Sequence, residues 1–261
     1  MSLNESSSRT LKTADMTCQI FTALRDLDGA RLTELANYLD MSKSGLHHYL
    51  STLHQNQFVV KRDDEYHLSS KFLLMGEYVR QRPDLYQIGR QEIQNLAEET
   101  GEFAHLMAEE FGLGIHLYKA RGTEGAAAEF YRQKEQRPDY LHISAAGKAL
   151  LAHLDRERVE SIIDEYGLVA KTEKTITDPA TLFEEIETIR ERGYALNNEE
   201  EVRGTRAVGA AVLNSDGSPV GALSVSGPTS RISDERFHNT LPKDVTRAAN
   251  MIENTLENHE R

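Results

Sequence analysis

The segment from Leu32 to Gln55 constrains this chain more than any other, because apolar residues repeat at helical spacing on both sides of a short polar break. Leu32, Leu35, Ala36 and Leu39 share one face of a first predicted helix, and Leu46, Leu50 and Leu53 share one face of a second. Ser42 is a favoured N-cap for the second helix. The pattern predicts a helix-turn-helix, an arrangement whose second helix can enter the major groove of DNA.

The break between the two helices contains Asp40 at the position where such a turn usually holds glycine. Aspartate tolerates the left-handed backbone conformation better than most residues do. We therefore expect the turn to form with Asp40 in that conformation.

The flanking segments complete a winged helix-turn-helix over residues 11–68. A preceding helix is predicted from Thr13 to Leu27, with Met16, Ile20, Leu24 and Leu27 as its buried stripe. After the second helix, strands Phe58–Arg62 and Tyr66–Leu68 flank the acidic turn Asp63-Asp64-Glu65 and form the wing. The polar residues 1–10 are expected to be a flexible N-terminus.

Residues 69–83 are predicted to be a linker helix, in which Phe72, Leu73, Gly76 and Tyr78 or Val79 face inward. Arg82-Pro83-Asp84 ends this helix. In residues 84–261 helices alternate with strands, Phe130-Tyr131 is a candidate strand start, and Ala207–Leu213 and Pro219–Val225 flank a turn as an antiparallel hairpin. The expected fold class is α+β, with a sensor-like second domain.

Charge is distributed unevenly between the two predicted domains. The net charge of −12 argues against a nucleic-acid partner when taken alone. Residues 1–80, however, hold nine Lys and Arg against ten Asp and Glu, whereas residues 81–261 hold 21 against 32. The stretch Met41–Arg62 contains Lys43, Lys61 and Arg62 and no acid. The predicted DNA-facing region therefore avoids the acidity of the rest of the chain.

Composition also bounds the environment of the protein. The single cysteine, Cys18, cannot form an internal disulfide, and the chain begins without an apolar leader, so a cytoplasmic location is expected. No apolar run is long enough to cross a membrane, and no membrane partner is expected. The 20 Arg against 10 Lys, with abundant acids, favour a salt-adapted source such as a halophilic archaeon; a GC-rich codon bias explains them equally well.

The outward face of the second helix and the base of the wing supply the candidate DNA contacts. Small and polar side chains there can approach base edges, and the basic ones can contact phosphates. The candidates are Ser42, Lys43, Ser44, His47, His48, Ser51, Gln55, Lys61 and Arg62. An ordinary solvated helix face is the alternative interpretation. Because basic contacts are few, binding is expected to need a dimer, or two dimers, on a palindromic site.

Three spaced blocks in the second domain resemble signatures of the IclR family of transcriptional regulators. They are Leu141–Ala152, then Arg192-Gly193-Tyr194-Ala195 with Asn197–Glu200, then Ala222–Pro228 with Arg231-Ile232. In the first domain Leu32–Ala36 and Ser42-Lys43-Ser44 also resemble the family. The resemblance implies double-stranded DNA as partner, a GAF-like effector domain that binds a small molecule such as an organic or sugar acid, and homodimers or tetramers.

By position, the resemblance implies an effector pocket lined by Ala145, Ala146, Asn197, Ala207, Ser224 and Ser226. Ser144–Gly147 would begin a helix whose free N–H groups favour a carboxylate, and Ser224 and Ser226 would share one face of a strand. Asn197 and Ala207 depart from the aspartate and cysteine that can occur in the family, which removes an acid and a thiol. Plain packing is the alternative role of each residue.

Other constellations are weak. His142, Ser144 and Asp139 have no nucleophile elbow, so no catalytic residues are predicted. His47, His48 and His54 lack acids or thiols nearby, so no metal and no cofactor is expected. The acids Glu184-Glu185 and Glu199–Glu201 are interpreted as solvated surface.

The sequence thus predicts a ligand-responsive DNA-binding regulator, in which the linker helix carries the effector's influence to the first domain. A dimeric small-molecule sensor that acts through protein partners and an enzyme that uses the pocket remain the alternatives.

Overall fold

The computed structural model describes residues 10–82, 84–123 and 139–259. It separates into two compact units, one ending at Val79 and the other beginning at Arg80. The division falls inside the helix that the sequence predicts as the linker. The predicted flexible segment 1–10 lies, except for Thr10, outside the described residues, as does the candidate strand at Phe130-Tyr131.

The first unit contains three helices followed by a small sheet and a fourth helix. The elements are α1 Lys12–Asp26, β1 Ala30–Arg31, α2 Leu32–Tyr38, α3 Lys43–Gln55, β2 Val59–Arg62, β3 Glu65–Leu68 and α4 Lys71–Gln81. The predicted apolar stripes of α2 and α3 meet in its core, where Leu35, Ala36, Leu46, Leu50 and Leu53 are buried. This is the predicted winged helix-turn-helix, with one addition. The short strand β1 pairs with β3, so the wing is a three-stranded sheet in the order β1-β3-β2.

The turn between α2 and α3 and the hairpin of the wing both use aspartate in the left-handed conformation. Asp40 has φ of 49°, as expected for the turn between α2 and α3, and the amide of Met41 donates to the carbonyl of Ala36 there. Asp63 and Asp64 have φ of 46° and 67°, the positive values that both central residues of a type I′ hairpin turn require. Glu65 is therefore the first residue of β3 and not part of the turn.

Two packing predictions for the first unit are wrong. Leu27 is 37 % exposed, and Ala23 takes its place in the buried stripe of α1, because α1 ends one residue earlier. In α4 the predicted inward residues Leu73, Gly76, Tyr78 and Val79 are exposed, and no side chain of that helix is fully buried. Only the Phe72 ring of the predicted set packs on the unit, against the rings of Phe21 and Phe58.

The second unit is a six-stranded antiparallel sheet with helices on both faces. In chain order its elements are α5 Asp84–Thr100, β4 Phe103–Glu110, β5 Leu113–Arg121, β6 Asp139–Tyr140, a 3₁₀ turn Leu141–Ile143, α6 Ala145–Leu151, α7 Arg156–Tyr166, α8 Pro179–Arg192, β7 Ala195–Asn198, β8 Thr205–Leu213, β9 Pro219–Pro228, a π turn Arg236–Thr240 and α9 Leu241–His259. The strand order is β6-β5-β4-β9-β8-β7. The predicted α+β class and the central hairpin, β8 with β9, are confirmed.

Alternation along the strands divides the apolar residues between two cores. In β9, Leu223 and Val225 point to a core that α5 and α9 complete. Ala222 points the other way, toward a core formed with α6, α7 and α8. The sheet is thus the middle of three layers. Ser224 and Ser226 share the α6 side with Ala222, as the i, i+2 spacing predicts.

The bounds of two helices in the second unit differ from those predicted. The helix predicted to end at Leu154 ends at Leu151, and the last helix begins at Leu241 after a π turn instead of at Asp234. In the described part of the chain, none of the helices is both long and apolar enough to cross a membrane.

The close approach of α6 to the turn before it requires glycine at position 147. A Cβ atom built there would lie 2.2 Å from the carbonyl oxygen of Leu141 and 2.6 Å from its Cα. Both are backbone atoms, which cannot move aside as a side chain can. Gly147 therefore fixes how α6 packs against the 3₁₀ turn.

We predict that Gly147→Ala lowers the free energy of unfolding of the second unit by about 1–3 kcal/mol, the usual effect of overpacking. Gly89→Ala on α5 is the matched control, since its Cβ would meet only the ends of the Leu106 and Ile252 side chains and no backbone atom. That variant should stay within about 1 kcal/mol of wild type. Urea unfolding of the full chain, with hydrogen exchange to locate the effect, measures both. Equal losses in the two variants would contradict this account of Gly147.

Candidate functional sites

The outward face of α3 is the first candidate site. With Leu46, Leu50 and Leu53 buried, the opposite side of the helix is presented to solvent. Of the predicted DNA contacts, Ser51 is half-buried and the others are exposed: Ser42, Lys43, Ser44, His47, His48, Gln55, Lys61 and Arg62. Ser42 caps the helix by accepting from the amide of Gly45 at 3.1 Å. The structure thus leaves eight of the nine predicted contacts exposed, on or beside α3 and on strand β2 of the wing.

The two basic residues of the wing differ in their surroundings. The Lys61 ammonium lies 2.9 Å from a carboxylate oxygen of Asp64, and this hydrogen bond raises the pKa of Lys61 and lowers that of Asp64. Both side chains are exposed, so the pair is weak and can rearrange. Arg62 is exposed at the end of β2, opposite Glu65 of β3. Arg62 is thus a better phosphate candidate than Lys61.

The second candidate site is a cavity between α6 and the sheet of the second unit. Its volume is about 20 Å³, which is room for about one water and far below the usual range for ligand pockets. The lining residues are His105, Met107, His116, Ser144, Ala145, Ala146, Glu201, Ala207, Ser224 and Ser226. Five of the six predicted pocket residues are among them.

The sixth predicted pocket residue, Asn197, is buried beside the cavity and does not line it. Its amide nitrogen donates to the carbonyl of Ile143, and its amide oxygen accepts from the backbone of Glu200 at 3.1 Å. Asn197 therefore ties strand β7 to the turn before α6 and to the segment that carries Glu201. An aspartate could accept from Glu200 but could not donate to Ile143, which explains why this chain uses an amide.

Five lining residues were not among the predicted pocket residues: His105, Met107, His116, Glu201 and Ser144, the last of which was predicted only as the start of a helix. His105 and Met107 could have been predicted from strand alternation, because Phe103, His105 and Met107 lie on the face of β4 opposite Ala104 and Leu106. The positions of His116 and Glu201 depend on strand pairing and on a loop. The register places His105 opposite Ser224, and Met107 opposite both Ala222 and His116.

The two histidines form a polar cluster at one side of the cavity. His105 is 3 % exposed, and its Nε2 lies 2.9 Å from the hydroxyl of Ser226. Nε2 of His116 donates to a carboxylate oxygen of Asp139 at 2.8 Å. The ring centroids of the two histidines are 5.4 Å apart. The cluster thus connects β9, β4, β5 and β6 through side chains, of which His105, His116 and Ser226 line the cavity.

A buried ion pair lies next to the cavity wall. The ammonium of Lys148 on α6 donates to both carboxylate oxygens of Glu200, at 2.8 and 2.6 Å. Burial raises the pKa of Glu200, and the charge of Lys148 opposes that shift. The interpretation of Glu199–Glu201 as solvated surface is therefore wrong for Glu200, which is 8 % exposed. The pair fixes the segment after β7 against α6, because either charge left alone there would be strongly destabilising.

Comparison with known proteins matches both units to described families. The IclR helix-turn-helix domain matches residues 13–63, and the family described as bacterial transcriptional regulator IclR C-terminal matches residues 77–254. Both families consist of transcriptional regulators and not of enzymes.

Among curated proteins, the chain is 38% identical over 240 residues to the probable HTH-type transcriptional regulator ArcR of Halobacterium salinarum, covering 92% of this chain and 91% of that protein. It is 34% identical over 230 residues to the regulator BhcR of Paracoccus denitrificans, covering 87% and 81%. The crystal structure of Thermotoga maritima IclR superposes with a TM-score of 0.73 at 25% identity, covering 95% of this chain and 99% of that one. This chain belongs to the IclR family of transcriptional regulators.

Proposed function

We propose that this protein binds operator DNA through the exposed face of α3 and the wing, and that a small molecule in the cavity beneath α6 modulates that binding. The observation that carries the proposal is the presence of both surfaces in one chain. One is an acid-free recognition face, and the other is a small cavity with polar and apolar walls. Because the effector can shift an equilibrium only by binding two states unequally, the cavity must differ between the DNA-bound and free states.

The lining of the cavity suits a small organic or sugar acid. The cavity itself, at about 20 Å³, holds about one ordered water, so an acid has to widen it on binding. Ala145, Ala146 and Ala207 provide an apolar wall, and Ser224 and Ser226 provide hydroxyls on the facing strand. Pockets of this kind bind through apolar contact and orient the ligand by a few polar groups.

The protein is proposed to act as a homodimer, or as a tetramer of two dimers, in the cytoplasm. α4 presents Leu73, Leu74, Met75, Tyr78 and Val79 to solvent, with exposed fractions between 47 and 75 %. Such a contiguous apolar face on a helix indicates an interaction surface. A second copy of the chain is the occupant that the few basic contacts per recognition helix require, since pairing two helices on a palindromic site multiplies their affinities.

Replacing Lys43 or Arg62 with Ala should weaken binding to DNA from upstream of the chain's own gene and reduce the slope of log affinity against log salt by about 1 per lost phosphate contact. Lys243→Ala is the matched control, because it removes an exposed charge from the second unit. Fluorescence anisotropy over a salt series measures both quantities. Wild-type affinity and slope in both recognition-face variants would show that this face does not contact DNA.

Absence of binding by the wild-type chain to any fragment of that upstream region would instead favour a sensor that acts through protein partners. In that case the winged helix would be vestigial, and the acid-free surface of α3 would need another explanation. Gel-shift assays with overlapping fragments distinguish the two functions directly.

Ala207→Leu should abolish the effect of organic and sugar acids on operator affinity and leave affinity without effector unchanged. The larger side chain projects into the cavity from β8, where Ala207 lines the wall and is only half-buried. Ala170→Leu, at an exposed position outside the cavity, serves as control. The readout is anisotropy with and without each acid. An unchanged response in Ala207→Leu would mean that effectors bind elsewhere.

Leu74→Glu should shift the protein toward monomer and lower DNA affinity by at least about tenfold, equivalent to ~1.4 kcal/mol. Leu74 is 75 % exposed, so the substitution disturbs no packing within the chain. Sedimentation velocity and anisotropy measure the two effects. A variant that stays as associated as wild type would exclude α4 as the contact between copies.

A further inference from the structure

The cavity beneath α6 must widen before it can hold any molecule larger than water, because its volume is only about 20 Å³. Three kinds of wall line it in the described part of the chain. They are the sheet, the start of α6, and residues 199–204, the segment between β7 and β8 that contributes Glu201. We expect the wall that moves to be the one whose displacement disturbs the least buried structure.

The sheet and α6 are held too firmly to be that wall. Strands β4, β5, β8 and β9 each have a neighbouring strand on both sides, so displacing any of them breaks two ladders. Gly209 of β8 lies directly against α6, since a Cβ atom built there would be 2.8 Å from backbone atoms of Ala145 and Ala146. Ala146, Ala149 and Leu150 belong to a buried core, and moving the helix would expose them to water.

Segment 199–204 makes contacts of a different kind. None of its six residues belongs to either apolar core of the described chain, and only Glu200 among them is buried. Its contacts are hydrogen bonds and ion pairs: Lys148 and Asn197 with Glu200, Thr172 and Lys174 with Glu199, Thr175 with the carbonyl of Glu200, and Glu173 with Arg203. Water can replace such partners when the segment moves outward, but it cannot replace lost apolar burial.

The backbone at the start of this segment is strained. Glu199 has φ of 67°, a left-handed conformation that costs energy in a residue with a Cβ atom. The Glu199 carboxylate accepts from the amide of Gly204 at 2.8 Å and from the ammonium of Lys174 at 2.6 Å, and these bonds hold the strained conformation. Loss of the contacts around the segment therefore favours a different path of the chain between β7 and β8.

Lys148 has a second carboxylate within reach if Glu200 departs. Its ammonium lies 2.6 Å from Glu200 and 3.6 Å from Glu185 of α8. Glu185 in turn pairs with Arg192 at 2.8 Å, which keeps it beside α6. When Glu200 moves outward, Lys148 therefore retains a counter-charge, and the strong penalty for an isolated buried cation is avoided. The charges of this region thus permit both a closed and an open position of segment 199–204.

We propose that residues 199–204 form a gate that moves away from α6 when the cavity widens, and that the buried Lys148–Glu200 pair is the latch that keeps the gate closed. The regulatory role of the gate rests on the proposed function, in which the cavity is the effector site. An effector that occupies the widened cavity binds the open state and not the closed one. Such unequal binding is what a shift between two states of a regulator requires.

Access of a small thiol reagent to the cavity tests the gate in the full chain without an effector. Ser224→Cys places a thiol on the cavity wall at a position that is 6 % exposed, and Cys18→Ser removes the exposed native thiol. Methyl methanethiosulfonate is larger than water, so it reaches the introduced thiol only when the cavity widens. The rate of modification, followed by intact-mass spectrometry, therefore reports how often the cavity opens.

In this background Lys148→Met should raise the modification rate at least about tenfold, because a Glu200 carboxylate without its partner is more stable in water than inside the protein. Thr175→Val should raise the rate about threefold, since it removes the hydroxyl that donates to the carbonyl of Glu200 at 2.6 Å and leaves no charge unpaired. Thr188→Val is the matched control and should leave the rate unchanged, because its hydroxyl donates to the carbonyl of Glu184 on the exposed side of α8.

Hydrogen exchange in the same variants distinguishes opening of the gate from unfolding of the whole unit. Exchange should accelerate at the amides of Glu200 and Gly204, which donate to side chains at 3.1 and 2.8 Å, and stay slow in β4, β8 and β9. Equal acceleration across the sheet, or a modification rate that neither Lys148→Met nor Thr175→Val changes, overturns the proposal. If Lys148→Met does not fold, Thr175→Val decides the matter alone.

Failure of the gate and failure of the proposed function give different results. Thiol modification and hydrogen exchange use neither DNA nor effector, so they decide the role of segment 199–204 even if no operator is found. If acids change operator affinity while the modification rates of all variants are equal, the regulator stands and the gate falls. If the rates change as expected but no fragment of DNA is bound, the gate stands and the regulatory function falls.

Discussion

The alternation of side chains across the six-stranded sheet is the constraint on which the rest of the second unit depends. Each central strand sends every other residue to the core under α5 and α9, and the remaining residues to the side of α6. A cavity can exist on the second side because small residues, Ala207, Ser224 and Ser226, stand there in adjacent strands. A shift of β9 by one residue against β8 would place Val225 in the cavity and the serines in the core.

The walls of the cavity are held by polar interactions, since the small side chains that leave it open bury little apolar surface. Gly147 allows α6 to approach the preceding turn, and Asn197 bonds that turn to the segment after β7. The Lys148–Glu200 pair then fixes the same segment from the side of the helix. These contacts are buried, and loss of either partner leaves an unsatisfied group in a medium of low dielectric constant. The cavity is therefore preorganised by groups that do not line it.

The two units differ in surface charge as well as in fold. The acids of the second unit form many ion pairs on its surface, whereas the recognition face of α3 keeps Lys43 without a carboxylate in its first turn. The wing differs, since Asp64 contacts Lys61 and sits at the tip of the hairpin. An acidic tip is repelled by phosphates, which supports the proposal that α3 contacts the bases and that the wing contributes only Arg62.

The sequence by itself determined the helix-turn-helix, the wing, the antiparallel hairpin and the α+β class, because helical and alternating periodicities are local and survive in any packing. It also determined the capping role of Ser42 and the left-handed turn at Asp40. Only the tertiary structure decided that α4 leaves its apolar residues exposed, that Glu200 is buried against Lys148, and that His105, His116 and Glu201 line the cavity while Asn197 supports it. Those facts depend on strand order and loop placement, and residues far apart in the chain, such as His105 and Ser226, meet only once the sheet has closed.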